Sequence, residues 1–520
     1  MKIRIILCAC LLCLLLVGFG VQSQFLAAAG NTYYVSTTGS DSNNGSLAAP
    51  WATLQHAANA ATAGVTVNIE AGTYYQKFNI TNSGSAGNPI TFQNYNGGTV
   101  IIDGTGSGIG EYGIANIQST ASYITISGIT FRNSPDFGIL VDPSGATMTN
   151  IIIQNNTVYN CGLSGIAGVT NYDSGFSSPT ISYLTVTGNT VYNCNTSGAW
   201  ESISISGVSH FTVSNNIEYG DAYAAGAGID CKNGDTYGNV NNNSIYSNRS
   251  LGIYLDARGA ENNINIFDNL IYNNSGSGIE LADEAGRYVL NSIEIYNNIL
   301  YNNYRAFQVD HYGSETINFS FINNTLYNNS ASSGSEILIA ASQTNLNNCI
   351  IENNIIYSLT SGAYGILNYS NGGVSVDHNL FYNSGGSWNP GNTFGTNYLT
   401  GNPLLTSPTT NFTLQSGSPA IAAGNSAGSP STDYAGITRS SPPCIGAYEY
   451  TSSSGSSDPP TTVDINAIMV TSPSSLPSAS ASYRGVIAIV QGGSGVSDAL
   501  YQCMKSASNN YSWVLIASGG

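Results

Sequence analysis

Charge is scarce in this chain. Of 520 residues, 12 are Lys or Arg and 29 are Asp or Glu, 8% together, for a formal net charge of -17. A surface with that balance repels a nucleic-acid backbone or an anionic bilayer, so cations and glycans are the easier partners. Cysteine is also sparse. Cys8, Cys10 and Cys13 fall in the leader described next, which leaves Cys161, Cys194, Cys231, Cys349, Cys444 and Cys503, too few for a disulfide scaffold. No CxxC or Cys/His ligand spacing is present, so Cys161 and Cys194, both in "VYNC", read as stacked small hydrophobes. Long apolar runs are missing after the first, Ile5 to Val21, which follows Lys2 and Arg4 and is succeeded by Gln22, Ser23 and Gln24. That is the pattern of a secretory signal peptide over residues 1–29, cleaved near Ser23 or Ala29, and it is short for a membrane anchor. The mature protein is expected outside the cell or on its surface, with no membrane insertion. A phosphate loop and a nucleophile elbow are absent too: "GSGIG" at Gly106 to Gly110 has no Walker lysine, and no GxSxG carries a His/Asp set.

What is abundant is glycine, tyrosine and a repeat. From Asn156 onward an Asn is followed three residues later by a Tyr, at Tyr159, Tyr192, Tyr219, Tyr246, Tyr272, Tyr301, Tyr327, Tyr357 and Tyr382, and Phe131 extends the series backwards. The gaps are those of one turn of a parallel β-solenoid. Each turn also holds a short alternating stretch, such as "GIYL" or "GIEL", whose apolar members point inward at every second position. Ile139, Ile229, Ile253, Leu255, Ile279 and Ile337 are therefore expected in the core. The repeated Asn156, Asn189, Asn216, Asn243, Asn269, Asn298, Asn324, Asn354 and Asn379 suit a hydrogen-bonded ladder, a structural role. The predicted fold is all-β: a right-handed parallel β-helix with an N-terminal capping helix and a small C-terminal β module.

A solenoid needs covered ends. Pro50 to Ala63 places Leu54, Ala57, Ala58 and Ala61 on one helical face, a plug for the first coil. The surrounding "YYVSTTGSDSNNGSLAAPWATLQHAANAATAGVTVNIEAGTY" resembles the N-terminal part of secreted β-helix proteins, including the family-nine pectate lyases. "GSPAIAAGNSAGSPSTDYAGITRSSPPCIGAYEY" is similar to the closing coil of bacterial β-helix proteins; Asp433 and Arg439 match, whereas Ala422 and Cys444 stand where aspartates are usual. "TSSSGSSDPPTT" reads as a linker. The last residues resemble short β modules that end phage appendage proteins, a possible means of attachment or simply a solubilising appendage. The expected divisions are 1–29 signal, 30–110 cap and first coils, 111–400 coils, 401–450 closing coil, 451–462 linker and 463–520 β module.

Charge is not evenly spread: Gly226 to Glu315 holds 11 of the acids and 5 of the bases. Alternation puts Asp230, Tyr254, Glu280 and Gln308 in one outward column and Lys232, Asp256, Ala282 and Asp310 in the next, with Arg258, Asp283, Glu284 and His311 at the adjoining turn. A solvated row of mutually neutralising charges is the bland alternative. The phrasing of these coils is similar to the central coils of family-nine pectate lyases, where aspartates hold calcium and a lysine is the base. In this chain those acidic positions fall on Ala227, Ser250, Leu251 and Tyr254, and the lysine position on Glu280; Lys232 alone persists. Three readings stay open. In β-elimination, Ca2+ on Asp230 and Asp256 would offset a uronate carboxylate while Lys232 or Arg258 takes the proton. In hydrolysis, Asp230 and Glu280 would serve as acid and base. As a non-catalytic glycan binder, the chain would use Tyr254, with Tyr288 and Tyr312 nearby, and its phage-like tail. In any of these readings Tyr254, Asp310 and His311 are expected to contact substrate, and His311 beside Asp310 offers a general base. The expected partner in each case is an extracellular polysaccharide.

Overall fold

The computed structural model describes residues 31–106, 109, 112–170, 179–198, 200–284, 286, 288–310, 316–332, 334–340, 346–360, 362–370, 372–384 and 394–451, together with four C-terminal strands. The expected leader, residues 452–462 of the expected linker, His311 and Tyr312 lie outside the described residues. Residues 1–450 and 451–520 are separate compact units.

The first unit is a parallel β-solenoid. Each coil contributes one strand to each of three sheets, and the described residues form sheets of 11, 14 and 13 strands. The first sheet runs from Phe78–Ile80 to Tyr364–Asn368, the second from Thr32–Val35 to Val374–Asp377, and the third from Gly72–Tyr74 to Leu399–Thr400. Alternation does what the sequence requires. Ile139, Ile229, Ile253, Leu255, Ile279 and Ile337 have no exposure and belong to one core that is continuous from Val35 to Phe381. Each such side chain contributes about 1.5–3 kcal/mol by leaving water.

The wealth of asparagine has two causes. One is a ladder: the side-chain amide of Asn243 donates to Asn269 Oδ1 at 3.0 Å, that of Asn269 to Asn298 at 2.9 Å, and so on from Asn156 to Asn379. The same oxygens accept backbone N–H groups of the coil before, so buried corner amides are satisfied. The other cause is geometry. Corners on both sides of the third sheet need a left-handed residue, and Asn155, Asn215, Asn242, Asn297, Asn323 and Asn353 all have φ between 54 and 56°. A second ladder, Asn248, Asn274, Asn303, Asn329, ends on Glu336.

All nine repeat tyrosines align in the third sheet. Their rings stack from Tyr159 to Tyr301 at 4.8–5.0 Å. Phe412 then packs on both Tyr301 and Tyr327. This marks the course of residues 401–450, which carry a hairpin of their own and pack Leu405, Phe412, Ala420 and Ile445 on the flank of the third sheet against Ile299 and Leu380, rather than adding a rung. The N-terminal helix is Leu54–Ala60, capped by Thr53 Oγ1, which accepts from His56 N at 3.2 Å, and it buries Leu54, Ala57 and Ala58. Cys161, Cys194, Cys231, Cys349 and Cys444 are buried and free. The second unit holds a four-stranded sheet, Ile468–Thr471, Ile487–Val490, Ala499–Lys505 and Tyr511–Ser518.

Candidate active site

Four consecutive strands of the first sheet, Ala227–Lys232, Leu251–Asp256, Ser277–Ala282 and Arg305–Asp310, build the charged face. The register is the one alternation requires: Asp230 opposite Tyr254, Glu280 and Gln308, and Lys232 opposite Asp256, Ala282 and Asp310. The cluster divides into three groups.

At the first rung, Lys232 Nζ lies 2.9 Å from Asp230 Oδ2 and 2.7 Å from Glu201 Oε2, and 5.1 Å from the Trp200 ring centre. Burial alone would lower the lysine pKa, but the charges of Asp230 and Glu201 overcome it and raise it. An ammonium held this way is a counter-ion and not a base at neutral pH. Asp230 has no exposed surface; burial drives its pKa well up, with Lys232 opposing.

At the next rung, Arg258 Nε donates to Asp256 Oδ2 at 2.6 Å and the guanidinium also pairs with Glu284, whose other oxygen accepts from the Tyr254 hydroxyl at 2.7 Å. Burial pushes Asp256 to about 7, with Arg258 opposing and Glu284 reinforcing. Burial would raise Glu284 as well, yet Tyr254 and Arg258 hold it below the usual carboxylate range. The Tyr254 hydroxyl is pushed far up by burial and by the neighbouring carboxylates.

The third group contains the half-buried Glu280. Burial first, then the negative charge of Asp310, pushes it to about 8, against the Ser277 hydroxyl and Arg305. Arg305 Nη1 donates to Gln308 Oε1 at 2.8 Å, which turns the Gln308 amide so that Nε2 donates to Asp310 Oδ2 at 2.7 Å. Glu280 thus holds a proton at neutral pH, beside the Asp310 side chain that Gln308 orients. Asp310 lies one rung on and two residues along, which by strand spacing puts the two Cα atoms about 8 Å apart.

Calcium does not fit the expected ligands. The ion needs six to eight oxygens. Asp230 is sealed behind Lys232, and Asp256 is already held by Arg258 at 2.6 Å, so two cations of the chain itself occupy the positions a metal would take. Tyr288 is half-buried and packs against the hydrophobic core. Glu201, Trp200 and Arg305 were not foreseen. A signal existed for Glu201, the lone acid between Asp173 and Glu218.

Residues 33–197 match the family model "Pel9A-like, right handed beta helix region". The match stops before the charged rungs. A segment of 129 residues is 36% identical to the uncharacterized protein YwoF of Bacillus subtilis, and 82 residues are 43% identical to pectate lyase PEL9 of Emericella nidulans; these cover 25% and 15% of this chain, and 26% and 20% of the relatives. The chain therefore spans about a quarter or less of the curated relatives it matches. The structure of XylC in complex with xylose superposes with a TM-score of 0.56 over 81% of this chain and 98% of that one, at 14% identity. The fold is a right-handed parallel β-helix, and residues 33–197 are similar to the Pel9A-like β-helix family. No helix of the described residues is long and apolar enough to cross a membrane.

Proposed function

We propose that this chain is a secreted enzyme that hydrolyses glycosidic bonds of an extracellular polysaccharide along the outer face of the first sheet, with Glu280 as proton donor. The observation that carries the reading is the pairing of a half-buried carboxyl pushed to about 8 with a carboxylate oriented by Gln308 one rung away. Glu280 gives its proton to the glycosidic oxygen as the C1–O bond breaks. Asp310 takes a proton from the water whose oxygen bonds to C1. Lys232 and Arg258 act as fixed counter-charges and keep the neighbouring carboxylates in place. Because acids outnumber bases on this face, a neutral or weakly charged glycan suits it better than a polyuronate.

Elimination on a uronate is the second reading, favoured by the similarity to pectate lyase PEL9. The deciding experiment is incubation with pectins, alginates and neutral glycans, with and without chelator, scoring new reducing ends separately from unsaturated uronate products. Reducing ends without unsaturation, indifferent to chelator, support hydrolysis. Chelator-sensitive unsaturated products would replace it with elimination. Retention of a glycan without cleavage would make the protein a binder.

A further inference from the structure

The last rungs of the second sheet carry a second cluster, on a different sheet from the charged face and one to two coils beyond it. Nine successive corners of the repeat take the same backbone form. The left-handed position is Asn in six of them, Gly188 and Asp268 in two more, and His378 in the last, at φ 45°. The residue before it faces outward in the second sheet and is Thr187, Ser214, Asn241, Phe267 or Ile322 in earlier rungs; in the final two it is Glu352 and Asp377, which are register partners. The final two rungs therefore place metal-ligating side chains at three adjoining positions.

The three side chains converge on one point. Ligand atoms of Glu352, Asp377 and His378 lie within 4.8 Å of one another. His378 Nδ1 is 2.9 Å from Asp377 Oδ2 but is buried without a directed hydrogen bond. Donors at tetrahedral angles about an ion with bonds of about 2.1 Å are about 3.4 Å apart, so the two side chains need part by only about half an ångström to share one. Glu352 is 7% exposed, and its Oε1 is buried with no hydrogen-bond partner. An orphaned carboxylate oxygen is costly unless a ligand satisfies it. Asp377 is already oriented: its Oδ1 accepts from His378 N at 3.0 Å, Thr396 Oγ1 at 2.7 Å and Asn397 Nδ2 at 3.0 Å, which leaves Oδ2 toward the histidine. Such outer hydrogen bonds are what fix a metal-binding carboxylate.

We propose that Glu352, Asp377 and His378 bind a divalent transition-metal ion of the zinc class, clipping the last two rungs of the second sheet to the segment that follows them. One imidazole nitrogen with two carboxylates selects zinc or its neighbours over calcium, which prefers oxygen alone. Because Thr396 and Asn397 bond to one ligand, ion binding also anchors the chain as it leaves the last rung.

The test is calorimetric titration of the chelator-treated full-length protein with Zn2+ and, separately, Ca2+, alongside thermal melting. One equivalent of Zn2+ is expected to bind, Ca2+ much more weakly, and Tm to rise by several degrees. His378→Asn restores the residue that this corner carries elsewhere, so it should fold, yet it should weaken Zn2+ binding by about tenfold or more and lose the rise in Tm. Glu352→Gln should weaken binding similarly. No Zn2+ binding, or equal affinity in His378→Asn, overturns the proposal and leaves a histidine–carboxylate contact. Binding that is unchanged in Glu280→Gln separates this outcome from that of the proposed cleavage.

Discussion

Two regions of the same rungs handle buried polarity in opposite ways. Along the corner beside the third sheet, Asn156 to Asn379 repeat one neutral amide, and each amide gives and receives what its neighbours need. Along the first sheet, rungs of the same spacing carry Asp230, Lys232, Tyr254, Asp256, Glu280 and Asp310, no two rungs alike, with buried oxygens such as Asp256 Oδ1 left without hydrogen bonds. The first region is what a solenoid needs to stand; the second is tolerated at a cost in stability, and it is there that carboxyl groups are poised. Repetition marks structure here, and departure from repetition marks chemistry.

The sharpest way to break the comparison is to exchange its two sides. Glu280→Gln should lower the cleavage rate by about 100-fold to 10,000-fold, as loss of a general acid does, while leaving Tm nearly unchanged. A folded Glu280→Gln protein that cleaves at the wild-type rate would remove Glu280 from the chemistry. Asn269→Ala should do the reverse. It strips two donated and two accepted bonds from the ladder, and chemical denaturation should register a loss of about 3 kcal/mol with cleavage per folded molecule kept.

A smaller effect is expected from Glu218, which occupies an inward position of the third sheet between Val191 and Ile245. Burial pushes it to about 8, with the Asn248 amide opposing and the charge of Asp221 reinforcing. The folded form therefore keeps a proton that the unfolded form, with its ordinary value of 4.5, releases. Stability from this group is full below about 4.5 and is lost as pH rises toward about 8. Melting curves across that window should fall more steeply for the wild type than for Glu218→Gln; parallel curves would show that Glu218 is ionised in the fold. The smallest effect is expected of reductant. With the five described core cysteines free, Tm should be unchanged by a reducing agent, and a clear drop would reveal a disulfide.

The sequence carried the fold because its signals are periodic. The Asn and Tyr columns, the inward aliphatics and even the pairing of Asp230 with Tyr254 follow from counting residues along the repeat. What could not be counted was coverage. Alternation places Asp230 and Lys232 outward, but not that Glu201 and Trp200, from the irregular loop of the preceding coil, close over them and turn expected metal and base positions into an ion pair. The same limit hid the Glu352, Asp377 and His378 cluster, whose members meet only once two rungs are stacked. The Glu280 proton is likewise a property of packing, since it comes from burial and from Asp310 a rung away.

That proton is the centre of the account, and a pH–rate profile reads it most directly. On whichever glycan the wild-type protein cleaves, kcat/KM measured from about pH 5 to about pH 10 should hold through neutrality and fall roughly tenfold per unit above about 8, as Glu280 loses the proton it donates. A profile that stays flat to about pH 10, or that already declines through about pH 5, would contradict the assignment of Glu280 as the acid.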